Sequence, residues 1–63
     1  MVNRVAEYRK EKGMSQAELA EKAGISRPYL SQIETQTQQV VSNAVMFKLA
    51  QALGVSFEHI FLP

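Results

Sequence analysis

His59 is the only histidine of the chain, and there are no cysteines. A His-based metal pair or a triad therefore has no partners within one chain, and a thiolate zinc site has no ligands. His59, next to aromatic neighbours near the C-terminus, reads as a helix-end or surface residue. Glu7, Glu11, Glu18 and Glu21 lie among Lys and Arg at helical spacing, the pattern of solvated i,i+4 pairs rather than of paired catalytic acids. Nothing resembles a Walker-type phosphate cradle. Catalysis is disfavoured, and no metal or cofactor is expected. What remains is the stretch AEKAGISRPYL, residues 20–30, where helix formers give way to Gly24 and Ser26 stands directly before Arg27, Pro28 and Tyr29. The pattern is that of two helices almost touching, with hydrogen-bonding side chains on the first turn of the second.

Those side chains need elements to hold them. Residues 3–12, NRVAEYRKEK, place Val5 and Tyr8, with the preceding Val2, on one side, and Arg4, Glu7, Lys10 and Glu11 around the rest. Asn3 is placed to cap this helix and Gly13 to end it. Ser15 begins S-Q-A-E, a capping box with Glu18, and the helix behind it, 16–23, turns Leu19, Ala20 and Ala23 inward. Gly24 ends that helix. Ser26 is a second N-cap, and Pro28 falls in a first turn, where its missing N–H costs nothing. This third helix runs over 27–35 with Leu30 and Ile33 facing the core. So short a turn forces a sharp angle between the two helices. Ala20 is small where they approach, and Ile25 plugs the turn from the core side.

Residues 35–41, TQTQQVV, are polar and β-branched and contain no Gly, Pro or charge. Ser42 caps a fourth helix, 43–53, with an apolar stripe of Met46, Leu49, Ala50 and Leu53. Gly54 stops it, and Ser56 starts a short fifth helix, FEHIF. No stretch alternates with period two for long, so strands are not expected. There is no repeat or linker. One all-α domain over residues 1–63 is the expectation.

Sixty-three residues stand near the lower limit for a chain stabilised by burial alone. With 46% hydrophobic and 21% charged residues, the chain is expected to be globular. No apolar run approaches the roughly 18 residues of a membrane span, and the N-terminus lacks the apolar core of a signal peptide. A cytoplasmic protein with no membrane partner is the expectation. The net charge is only +1, so an acidic partner must be attracted by locally clustered basic groups.

Gln16 to Thr35 resembles the twenty-residue helix-turn-helix, whose second helix enters the DNA major groove. More widely, MSQAELAEKAGISRPYLSQIE followed by FKLAQALGVSFEHIF resembles the phage repressor and Cro-type helix-turn-helix family, often called Xre-type regulators. Its most specific parts are S-Q-x-E-L-A, the Gly24 turn, and L-x-x-I-E at Leu30, Ile33 and Glu34. L-A-x-A-L-G-V-S from Leu49 to Ser56 adds a distant match. The resemblance covers nearly the whole chain. It implies a compact five-helix, lambda-repressor-like domain and a sequence-specific transcriptional regulator that binds double-stranded DNA, as a dimeric repressor on an inverted-repeat operator. Carried over by position, base contacts come from Arg27, Pro28 and Gln32, with Ser31 and Thr35 beside them. Arg27 can pair with guanine O6 and N7, Gln32 with adenine, and Pro28 can touch only a thymine methyl or a sugar. Gln16 is the implied phosphate anchor at its helix start, and Ser26 can act likewise. Tyr29 can reach a phosphate with its hydroxyl, and Gln38 and Gln39 are loop candidates. Arg9 aligns with an Arg that pairs with the Glu after Ile33, which implies a largely buried Arg9–Glu34 ion pair.

One departure stands out. The family continues past I-E with a basic residue, a Gly and further basic residues before Pro-Ser. Here the chain has Thr35, Gln36, Thr37, Gln38 and Gln39, with Val41 in place of Pro, and is one residue longer. A neutral loop along the DNA backbone releases fewer counterions, so binding should be weaker and less salt-sensitive. The neutral loop and low net charge also keep open an antitoxin-like or other small protein-interaction module, acting through a polypeptide partner.

One short recognition helix covers few base pairs, so a homodimer is expected, with two such helices about 34 Å apart. Phe47, on a flank of the fourth helix, joins Phe57, Ile60, Phe61 and Leu62 as apolar surface in excess of what so thin a core covers. Ile60 and one of Phe57 and Phe61 are expected to pack inward. The other aromatic, Phe47 and Leu62 then form the dimer contact.

Overall fold

The computed structural model describes residues 3–35 and 41–61. Over these the chain forms α1 (Val5–Glu11), α2 (Gln16–Ala23), α3 (Arg27–Glu34), α4 (Asn43–Leu53) and α5 (Phe57–Phe61), with no strand among the described residues. Three of the helices start alike. Ser15, Ser26 and Ser42 take extended backbone, and each hydroxyl oxygen accepts an N–H three residues on, from Glu18, Tyr29 and Val45 at 3.1, 3.2 and 3.2 Å. Each such cap contributes about 1 kcal/mol.

The turn between α2 and α3 is set by Gly24 at φ +69°. The Gly24 N–H donates to the Glu21 carbonyl and the Ile25 N–H reaches back to Ala20, satisfying two terminal carbonyls of α2. The same pair of bonds recurs around Gly54. The left-handed residue reverses the chain at once and delivers Ile25 against the core. Ser26 then opens α3.

The first helix is shorter than the expected 3–12, beginning at Val5 and ending at Glu11. Asn3 still satisfies its start, because its Oδ1 accepts the Val5 N–H at 3.0 Å, but it does so from outside the helix. The cause is tertiary. Asn3 is buried and its amide donates to the Ile33 carbonyl at 2.9 Å, while the Arg4 N–H donates to the Ile60 carbonyl at 2.9 Å. The residues leading into α1 are thereby tied to the ends of α3 and α5. The third helix also ends one residue early, with Thr35 as its C-cap.

α2 packs between α3 and α4, α1 lies across α3 and α4, and α5 folds against α4. Leu19, Leu30, Ile33, Leu49, Ile60 and Val5 are fully buried at the centre. Ala20 and Ala23 present the small side of α2, which lets its neighbours approach. Val41 is buried too, although it follows a polar run. Among the described residues no buried side-chain nitrogen or oxygen lacks a hydrogen-bond partner. None of the described helices is long and apolar enough to cross a membrane.

Candidate nucleic-acid interface

α3 is seated by Leu30 and Ile33, and this fixes which residues it turns outward. Arg27, Pro28, Gln32 and Thr35 are exposed; spacings of four and three residues put Pro28, Gln32 and Thr35 on one face, with Arg27 at its leading edge. Ser31 is half-buried beside them. Tyr29 is half-buried and packs against the core, so its ring is a structural element first. The first turn of α3 carries Arg27 and no acid, and the positive end of the helix dipole adds to that charge. The Ser26 oxygen is committed to the Tyr29 N–H, which leaves its own O–H as a donor. The Thr35 hydroxyl donates to the Ser31 carbonyl at 2.9 Å, so its proton serves the helix. Gln38 and Gln39 lie outside the described residues.

Gln16 and the ends of α1 and α3 meet at a carboxylate. Glu34 Oε2 accepts from Arg9 Nε at 2.6 Å, and Oε1 accepts from Arg9 Nη2 at 3.2 Å, a two-pronged pair in which the Glu34 side chain is only 4% exposed. Arg9 Nη1 donates to the Met14 carbonyl at 2.8 Å, which pins the turn leading into α2. Gln16 Nε2 also donates to Glu34 Oε1, at 2.8 Å. Three helices therefore share one polar joint at the end of α3. The Gln16 bond and the Asn3 bond are not foreseeable from the sequence. Both join residues far apart in the chain, and no local pattern announces them.

An aromatic row runs from α4 to α5. Phe47 is 60% exposed, and its ring lies 4.9 Å from that of Phe57, which lies 5.4 Å from that of Phe61. Ile60 is fully buried, as expected, whereas Phe57 and Phe61 share the remaining space and are both half-buried. Neither is singled out as the inward one: both pack in part against the core. Leu62 lies outside the described residues. His59 is exposed and stacks on Tyr8 at 6.4 Å. No cluster of His, Asp and Glu that could hold a metal occurs among the described residues.

Residues 5–60 match the family described as "Helix-turn-helix". The chain belongs to that helix-turn-helix family. The HTH-type transcriptional regulator SinR of Bacillus subtilis is 49% identical over 53 residues, which are 84% of this chain and 48% of SinR. The chain thus spans about half the length of that curated relative. Among solved structures, SinR described as a master regulator for biofilm formation in complex with DNA superposes with a TM-score of 0.82 at 47% identity, covering 87% of each chain. The restriction-modification controller protein C.AhdI of Aeromonas hydrophila superposes equally well, with a TM-score of 0.82 at 38% identity over 89% of this chain and 83% of that one. The five-helix, lambda-repressor-like arrangement of this helix-turn-helix domain is therefore that of Xre-type regulators.

Proposed function

We propose that this chain is the DNA-binding domain of a transcriptional regulator, a dimeric repressor that places α3 in the major groove of an inverted-repeat operator. It is a binding protein rather than an enzyme, and it works in the cytoplasm, where the DNA is. The observation that carries the reading is the outward face of α3. Arg27, Pro28 and Gln32 stand exposed on a helix rigidly seated from behind, beside a first turn with no acid. Arg27 and Gln32 are the side chains suited to two-pronged recognition of guanine and adenine. Gln16, Ser26 and Tyr29 flank them as phosphate contacts, which fix register but read no sequence. Ser31 and Thr35 border the reading face, and Gln38 is carried over as a further proposed contact. The likeness to the DNA-bound SinR domain supports this assignment.

The domain measures 24 × 22 × 19 Å, less than the roughly 34 Å of one DNA turn. Two copies joined through Phe47, Phe57, Phe61 and Leu62 would present two recognition helices to successive major grooves. A second reading draws on the same aromatic row and on the net charge of only +1: a small module whose main partner is a polypeptide, in the manner of an antitoxin. Selection from a random duplex pool separates the two. Enrichment of an inverted repeat is expected; no enrichment, together with co-purification of a second polypeptide, would favour the protein-partner reading.

A further inference from the structure

We propose that Glu34, which cannot reach DNA itself, is a positioning residue for DNA binding. Its buried carboxylate holds the Gln16 amide so that the second amide hydrogen meets a backbone phosphate. The inference rests on the DNA-binding reading above.

Glu34 is 4% exposed at its side chain and is locked by Arg9 through both carboxylate oxygens. Arg9 is locked in turn by the Met14 carbonyl. A fixed acceptor so held dictates the orientation of whatever donates to it, and Gln16 Nε2 does so at 2.8 Å. An amide nitrogen carries two hydrogens in one plane with the carbonyl group. With one directed at Glu34, the second has a defined direction, and Gln16 is only half-buried. A free glutamine side chain must be ordered when it binds; here one hydrogen bond already holds it in the unbound protein. Charge adds a second effect. Hydrogen bonding to a carboxylate polarises the amide, and Arg9 neutralises Glu34, so an approaching phosphate meets a donor without a bare like charge behind it.

The pair Arg9→Met/Glu34→Leu removes the acceptor while refilling the space, a replacement that buried ion pairs often tolerate. It is compared with the parent, Gln16→Ala and the triple variant in titrations of random-sequence duplex at low salt, where phosphate contacts dominate. Arg9→Met/Glu34→Gln restores a neutral acceptor. Losing the pre-ordered side chain is expected to weaken binding about fivefold. The triple variant should bind no more weakly than Gln16→Ala, and Arg9→Met/Glu34→Gln should recover part of the loss. Losses that multiply in the triple variant, or a Gln16→Ala that binds like the parent, would overturn the proposal.

NMR relaxation of the Gln16 side-chain amide in the free parent protein gives an answer independent of any variant's folding. The amide is expected to be ordered, in contrast to that of exposed Gln51. Equal mobility of the two would also overturn the proposal. A parent that binds no duplex but shows an ordered Gln16 would count against the DNA-binding reading and leave the hold of Glu34 on Gln16 intact.

Discussion

Glu34 accepts hydrogen bonds from Arg9 and Gln16 at the point where α1, α2 and α3 come together, and it is almost wholly shielded from water. A carboxylate in that setting is stable only while its cationic partner is present, and the reverse holds for Arg9. Glu34→Ala leaves a guanidinium 12% exposed with no counter-charge and is expected to cost about 3 kcal/mol. For so small a domain that is a fall in melting temperature of more than about 10 °C. Thermal unfolding followed by circular dichroism checks it, and a melting point within roughly a degree or two of the parent's would show the pair to be idle. The pair itself is legible only through the resemblance of L-x-x-I-E and Arg9 to a known family pattern. The resemblance offers Gln16 as a candidate phosphate anchor, but the sequence does not announce its bond to Glu34, because a contact across two helices has no periodic signature.

Helix starts and stops are the most legible part of the chain. Ser15, Ser26 and Ser42 each precede a helix and each caps it, and Gly24 and Gly54 each follow one. These signals are local, since the bonding partner lies within five residues along the chain. The start of α1 departs from its sequence signal for the opposite reason: Asn3 is held by Ile33, thirty residues away. Val41 reads as part of a polar connection because two adjacent valines at the end of TQTQQVV give no period by which to assign either a face. The turn before α3 carries the sharpest expectation of this kind. A methyl group on Gly24 would meet open space, but the residue stands at φ +69°, so Gly24→Ala brings backbone strain and no clash. The substitution is expected to destabilise by about 1–2 kcal/mol. Ser26→Ala is expected to cost about 1 kcal/mol by exposing the start of α3. Chemical denaturation measures both, and an unchanged midpoint for Gly24→Ala would mean that the turn tolerates another geometry.

The proposed function divides the molecule into a polar face and an apolar one. α3 exposes polar residues, and the row Phe47–Phe57–Phe61 runs from α4 to α5. Phe47 is the one large hydrophobic side chain that is exposed among the described residues, which is unfavourable for a lone monomer and useful for a self-complementary contact. Sedimentation at micromolar concentration is expected to show a species of about twice 7.1 kDa, returned to the monomer by Phe47→Ser. A 7.1 kDa species unaffected by the substitution would exclude the dimer. An aromatic surplus is readable from composition and helical spacing. How the rings divide the space is not, since Phe57 and Phe61 compete for positions that only packing decides.

Whether the exposed face of α3 reads base sequence is tested most directly by titrating the parent and Gln32→Ala against two duplexes. One is the duplex selected by the parent from a random pool, and the other is a random-sequence control. A base contact predicts that Gln32→Ala loses roughly 1–3 kcal/mol on the selected duplex and almost nothing on the control. Equal losses on both duplexes, or none on either, would contradict the assignment of α3 as the reading helix.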